Sequence, residues 1–410
     1  MISEGFQGVN GTTLALESQQ EKAFPMVFPL GFGAFHVTRS PFKMSQPAFT
    51  ATKMLTLGLT PGKLRGLQRL SNPNGTLTMV ATDQNSSMIA MIKDSLNKKG
   101  ENREPTFQEI VEAKIVLAST ITRHSSAVLV DGYYGVWNSM VSLAVPRDVG
   151  LLVRVEKSGG QKSKLNAPLG EYEPGFSVGK VKRLGADAVK LLAQFEPTEG
   201  ESAEHQLAFI QDVYEQCRKH DILLLLEPIA FPFGDEKKDS SSFLKRKAET
   251  VIESARQLSR WCDVYKAEFP GILGQENDTQ LAANLKALND ASERPWVLLS
   301  AGVDFPDYKK QVEMAMHAGA SGVLGGRAFW KEYFLQDGPA KQRAFAEGEC
   351  ADRVKQIDEI VRTKGTPWYK WYGLTLEQIH GLRAAEGWHF RYGEKFGAKG
   401  LAAGGEEWGY

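Results

Sequence analysis

The chain has 410 residues, 42% of them hydrophobic, enough for one large domain or two ordinary ones. Its 49 Lys and Arg balance 49 Asp and Glu, a neutrality that argues against a nucleic-acid binder and against a polybasic membrane surface. The three cysteines, Cys217, Cys262 and Cys350, form no close-spaced pair, so we expect a reducing compartment and no disulfide framework.

Residues 1–60 show no sustained period and are rich in Gly, Ser, Thr and Gln. We read them as an N-terminal arm, or as an upstream extension with Met44 and Met54 as later starts. Their longest apolar stretch, 24–35, holds two prolines and two glycines in 12 residues and is too short to span a bilayer. It has no basic n-region and no clear small-residue cleavage site, so no signal peptide is expected. The expectation is a soluble, cytoplasmic protein.

From Leu77 the pattern changes. Short β-rich runs at 77–82, 127–131, 150–155, 186–192, 222–227, 261–267, 296–300 and 322–325 alternate with helix-period segments. Those segments are 107–121, 203–219, 243–261, 279–289 and 308–318. In 203–219, Leu207, Ile210, Val213 and Cys217 recur at spacings of three and four and so share a face. Eight apolar strands alternating with helices, within roughly 250 residues, predict an α/β chain folded as a (β/α)8 TIM barrel over 61–370. A doubly wound sheet would be favoured by a Gly-rich phosphate turn after the first strand. The turn here is Asp83-Gln84-Asn85-Ser86, with no G-x-G-x-x-G. A last long helix is expected near 347–363. Residues 371–410, with Trp371, Trp388 and Trp408 among many glycines, read as an appended C-terminal extension.

In such a barrel the active site lies at the C-terminal ends of the strands. The first three strands end in Asp83-Gln84, Asp131 and Glu156-Lys157. The next three end in Lys190, Glu227 and Lys266. The seventh runs into Ser300-Ala301-Gly302 and the eighth into Gly325-Gly326-Arg327. Adjacent strands lie about 4.8 Å apart, so Lys190, Glu227 and Lys266 can converge on one substrate-sized space. Burying an ammonium at a strand end is costly unless it is paired. An amine that shares a site with a second cation and is partly desolvated becomes a nucleophile. Its expected reaction is attack on a ketone to give a carbinolamine and then an iminium, an electron sink for C–C cleavage. Glu227 would carry the proton transfers, and Asp83 would orient the amine or the substrate hydroxyls. A single Lys–Glu pair could equally be a structural ion pair; three charged groups on neighbouring strand ends favour a site.

The last two strand ends suit a phosphate. Gly302, Gly325 and Gly326 leave backbone N–H groups open to an anion, and Arg327 can bind one bidentately. The plain alternative is tight turns with a solvated Arg327, which the joint presence of Arg327 and the Ser-Ala-Gly turn disfavours. Metal catalysis is poorly supported: none of the seven histidines falls at a predicted strand end, and there is no H-x-x-H or C-x-x-C pair. We expect no metal and no other cofactor.

Nine segments, from about residue 61 to 368, carry a resemblance. They are Leu67-Gln68-Arg69-Leu70-Ser71-Asn72, Ala81-Thr82-Asp83-Gln84, Glu156-Lys157-Ser158-Gly159, Ala186-Asp187-Ala188-Val189-Lys190, Leu226-Glu227, Tyr265-Lys266-Ala267-Glu268, Leu299-Ser300-Ala301-Gly302-Val303, Gly322-Val323-Leu324-Gly325-Gly326-Arg327-Ala328-Phe329-Trp330 and Thr366-Pro367-Trp368. Their order and placement resemble the class I tagatose-1,6-bisphosphate aldolase family, including its relatives that act on sulfofructose phosphate. The resemblance implies Lys266 as the Schiff-base lysine and Glu227 as the acid/base. It places Asp83, Gln84 and Lys190 in the site and a phosphate on Ser300, Gly302, Gly326 and Arg327. The implied reaction is reversible cleavage of a phosphorylated ketose to dihydroxyacetone phosphate and an aldehyde such as glyceraldehyde 3-phosphate. The partner is then a phosphorylated sugar, and such barrels often self-associate, so a homo-oligomer is possible. After Asp-Gln the family usually has Arg, where this chain has Asn85. That departure implies a substrate with one phosphate rather than two, or another anionic end. The alternatives are a sulfofructose-phosphate aldolase and a non-catalytic phosphosugar-binding barrel.

Overall fold

The computed structural model describes residues 51–383 and residue 392, so the arm up to residue 50, Met44, Trp388 and Trp408 lie outside the described residues. Eight parallel strands form a closed barrel: β1 (Leu77–Ala81), β2 (Ala127–Val130), β3 (Gly150–Arg154), β4 (Ala188–Gln194), β5 (Leu223–Ile229), β6 (Val264–Ala267), β7 (Trp296–Leu299) and β8 (Gly322–Gly325). Around the ring each strand pairs with its sequence neighbours, and β8 closes on β1 through Leu77↔Gly322 to Val80↔Gly325.

These runs are apolar at nearly every position because both faces are covered. Even-numbered Val80, Val128, Val130, Leu224, Leu226 and Leu298 pack outward with the helices. Their odd-numbered neighbours Met79, Ala81, Leu129, Leu223, Leu225 and Val297 form a second cluster inside the ring. That inner cluster continues down to Leu67, Leu70, Trp368 and Tyr369, which plug the lower end. It also takes in Met54, Leu59, Leu374 and Ile379, residues on the far sides of the expected borders at 60/61 and 370/371.

The expected helix at 107–121 coincides with the observed one (Phe107–Ile121). The helices Ser241–Leu258, Asp278–Ala291 and Phe305–Ala318 start a little before the apolar period, the first two because polar caps begin them. Ser240 accepts from the Phe243 N–H and Asn277 from the Gln280 N–H, and such residues leave no mark in a hydrophobic pattern. The sixth strand is shorter than expected, since Ser259–Trp261 closes a 3-10 turn first. β4 and β5 run two residues past their expected ends, pairing from Ala188↔Leu223 to Gln194↔Ile229. The last long helix among the described residues, Ala351–Lys364, is entered through a π-helical turn at Ala346–Cys350. All three cysteines are buried and unpaired. No helix among the described residues is long and apolar enough to cross a membrane.

One buried ion pair ties the plug to the barrel. Lys63, on the helix Pro61–Leu70, lies 2.7 Å from Asp263, and Asp263 also accepts from the Leu224 N–H at 2.9 Å. Removing the lysine leaves a buried carboxylate without its cation. We expect Lys63→Met to cost about 3 to 5 kcal/mol in urea unfolding while leaving the chemistry at the opposite end intact. A loss below about 1 kcal/mol would contradict this account.

Candidate active site

The alternation that packs the barrel also delivers the site. Inner residues Ala81, Leu129, Leu152, Ala188, Leu225 and Val264 are each followed two positions later by Asp83, Asp131, Arg154, Lys190, Glu227 and Lys266. Because side chains two apart share a face of a strand, the apolar lining gives way to a ring of charge at one level. Arg154 is in register with Lys190, and Lys190 with Leu225.

The charges form one connected group. Lys266 Nζ lies 2.8 Å from Glu227 Oε1, and Glu227 Oε2 lies 3.0 Å from Lys190 Nζ. Lys190 Nζ further contacts Glu156 Oε1 at 2.8 Å and Asp83 Oδ2 at 3.2 Å. Arg154 Nε stands 3.9 Å from Glu156 Oε1. Three cations (Arg154, Lys190, Lys266) and three carboxylates (Asp83, Glu156, Glu227), all buried, therefore balance one another. That pairing answers the cost of placing an ammonium at a strand end.

The three carboxyls are pushed different ways. Burial drives Asp83 upward, but Lys190, Lys266 and Arg154 together hold it down at about 2. Glu227 also ends below the usual carboxylate value: burial raises it, and Lys190 and Lys266 overcome the effect. For Glu156 burial prevails over Lys190 and Arg154, and its value rises. Lys190 is lowered by burial, then raised above the ordinary lysine value by Glu156, Glu227 and Asp83. Neighbouring carboxyls driven apart in this way can divide acid and base duties between them.

Beside this group lie the ends of β7 and β8. Ser300 Oγ accepts from the Gly326 N–H at 3.2 Å, so the ends of β7 and β8 are joined. Ala301 (φ 46°) and Gly302 (φ 79°) turn left-handed in succession, the type of backbone turn that gathers N–H groups toward an anion. A Cβ on Gly302 would stand 3.1 Å from the Arg327 guanidinium carbon. A Cβ on Gly326 would meet Gln84 Nε2 at 2.9 Å and the Ala81 carbonyl at 3.2 Å, so a larger residue there would displace the Gln84 side chain and crowd the end of β1.

A cleft of about 620 Å³ is lined by Asp83, Gln84, Lys190, Glu227, Lys266, Ser300, Gly326 and Arg327. Gly302 lies behind Arg327 and does not line it. Of the third strand's expected end, Glu156 turns in, whereas Lys157 turns out to an exposed pair with Glu171 at 2.9 Å. The expectations missed Arg154, Glu268, Lys238 and Lys247, which also line the cleft. Arg154 is hidden inside Leu151-Leu152-Val153-Arg154-Val155, and period two counted from Leu152 would have placed it inward. Lys247 pairs with Glu268 at 3.4 Å, and Lys238 lines the cleft from an exposed position. Asn85, the residue that follows Asp83-Gln84, is buried, and its Oδ1 has no partner. No described histidine lines the cleft, and the described residues contain no cluster of three or more His, Cys, Asp or Glu placed to hold a metal.

Known proteins share this architecture and sequence. A tagatose 1,6-diphosphate aldolase from Listeria monocytogenes serotype 4a is 29% identical over 342 residues, covering 78% of this chain and 98% of that protein. One from Streptococcus agalactiae serotype V is 30% identical over 335 residues, covering 76% and 99%. Among solved structures, fructose-bisphosphate aldolase from Plasmodium falciparum superposes with a TM-score of 0.56 at 13% identity, over 74% of this chain and 95% of that one, a likeness of fold. The model of the DeoC/LacD family aldolases matches residues 78–332, from the first barrel strand to just past the last. The chain therefore belongs to the DeoC/LacD family of aldolases and is a lyase.

Proposed function

We propose that this aldolase works through a Schiff base on Lys266, without a metal, and cleaves a phosphorylated ketose of the tagatose 1,6-bisphosphate kind. The products are dihydroxyacetone phosphate and an aldehyde such as glyceraldehyde 3-phosphate. The observation that carries the reading is the Lys266 amine, 2.8 Å from a carboxylate that Lys190 holds from its other side, at the floor of a cleft bordered by Ser300, Gly326 and Arg327.

The amine must give up a proton to attack, and Glu227 is the acceptor within reach. Attack on the C2 carbonyl gives a carbinolamine, and loss of water, its oxygen protonated from Glu227, gives the iminium. A base, Glu227 or Asp83, then takes the C4 hydroxyl proton. The C3–C4 bond breaks, its electron pair moves into the enamine, and the aldehyde leaves. Protonation at C3 and hydrolysis return the amine and release dihydroxyacetone phosphate. Asp83 Oδ1, Gln84 Oε1 and Glu156 Oε2, buried acceptors without partners in the protein, match the hydroxyl donors of a sugar chain. Ser300, Gly326 and Arg327, which line the cleft, suit the phosphate of the ketone half.

Reduction with borohydride in the presence of dihydroxyacetone phosphate, followed by peptide mass mapping, should place the adduct on Lys266, and EDTA should leave turnover unchanged. An adduct on Lys190 would move the nucleophile. No adduct, or loss of activity in EDTA, would overturn the mechanism. Parallel assays with tagatose 1,6-bisphosphate and a sulfofructose phosphate decide which distal group the cleft accepts.

A further inference from the structure

Asp131 ends the second strand on the inner face, yet it takes no part in the chemistry above. Its partner is Lys114, in the middle of the helix Phe107–Ile121, fully buried, with Nζ 2.7 Å from Asp131 Oδ1. The same ammonium donates to the carbonyl of Thr82 at 2.5 Å and to that of Gln84 at 3.2 Å. Arg154 donates to the carbonyl between them, that of Asp83, at 3.0 Å. Three successive carbonyls of one turn are thus gripped by two buried cations.

This turn has no ladder to hold it. The pairing of β1 with β2 ends at Ala81↔Leu129, and one more bond, from the Thr82 N–H to the Leu129 carbonyl at 2.9 Å, is the last along that edge. Beyond it the chain must turn while pointing Asp83 at Lys190 and placing Gln84 on the cleft wall. Buried carbonyls need donors, and bonds from a charged donor are the strong ones. Asp131 completes the arrangement. It neutralises Lys114 and, through Oδ2, accepts from the Tyr133 and Tyr134 N–H groups at 3.0 and 2.7 Å. The ammonium is therefore fixed to β2 on one side and to the turn on the other.

We propose that Lys114, seated on Asp131, is a positioning residue that sets the 82–84 turn and with it the aim of Asp83. The proposal rests on the Schiff-base reading, because it assigns the turn a part in the steps after the amine has attacked. A lysine kept only to neutralise Asp131 would serve stability, and the two roles are separable. In Lys114→Met/Asp131→Asn no charge is left unpaired, so a folded protein is expected. Turnover is measured per Lys266 that borohydride can trap with dihydroxyacetone phosphate, which removes any loss of folded protein from the comparison. We expect trapping to persist, KM to change little, and turnover per trapped site to fall about 10- to 100-fold, the scale of a misplaced catalytic group. Turnover per trapped site within about twofold of wild type would overturn the positioning role. If the double variant does not fold, Lys114→Gln, which keeps donors but cannot span both carbonyls, is measured by the same ratio: a 10-fold or greater fall (about the same scale) supports the role, and a value within about twofold of wild type overturns it. If wild type itself traps nothing, the Schiff-base reading falls and this proposal falls with it.

Discussion

Lys266→Ala should yield a folded barrel with no measurable cleavage. Removing a nucleophile costs on the order of 10⁶-fold in turnover where the remaining groups act only through it. The fold should survive because the lysine's partner is not abandoned: Glu227 keeps Lys190 at 3.0 Å. The side chain lost also faces the cleft, so no closed cavity forms in the packed layers. Two cations then face three buried carboxylates, so we expect a lower thermal midpoint, but a cost below the about 3 to 5 kcal/mol of a carboxylate stripped of its cation, because Glu227 is still paired. Cleavage retained above a hundredth of wild type, or a barrel that no longer folds, would contradict the assignment of Lys266 as nucleophile rather than structural cation.

Lys190→Met should behave differently, because Lys190 is where the charges meet. It contacts Asp83, Glu156 and Glu227 at 2.8 to 3.2 Å, and without it the group of three cations and three carboxylates carries a buried excess of one negative charge. Loss of a buried partner costs about 3 to 5 kcal/mol, which should appear as a lower urea midpoint. Turnover should fall by about 10² to 10⁴, since the carboxyls that exchange protons lose the cation that orients them. The double variant Lys190→Met/Glu156→Gln restores neutrality and should recover much of the stability while remaining inactive. Should the double variant be no more stable than the single one, the charge-balance account of this site is wrong.

The barrel and much of its site were legible because strands buried on both faces leave an uninterrupted apolar run that stops where the chemistry starts. Glu227 and Lys266 stand near such stops, whereas Lys190 interrupts its run, with Leu191-Leu192-Ala193 following it. Asp83 and Ser300 follow theirs directly. Arg154 was not legible, since Val155 follows it and the apolar run resumes past the charge. Lys157 was taken together with Glu156 because two charges end that run, and only the alternation counted from Leu152 separates the inward residue from the outward one. Lys114 looks like an ordinary helix-surface lysine. Its spacing from Ile110, Leu117 and Ile121 puts it on the buried face, a signal that helix periodicity contains but that hydrophobicity alone discards. The lower plug draws on Met54, Leu59, Leu374 and Ile379, whose meeting depends on where the two ends of the barrel chain arrive in space, and no local pattern encodes that.

The two ends of the barrel hold their buried charges for different reasons, and descent should treat them differently. Lys63 and Asp263 fasten the plug and do not line the cleft. The six charges at the other end line the cleft in which we propose that the Schiff base forms. Apolar replacements of matched shape at such positions are often neutral or stabilising. A lineage released from catalysis would drift toward a greasier, more heat-resistant mouth while its lower pair stayed in place. The order in which these pairs vanish among descendants would then record the loss of catalysis, much as a fossil bed records the loss of a limb.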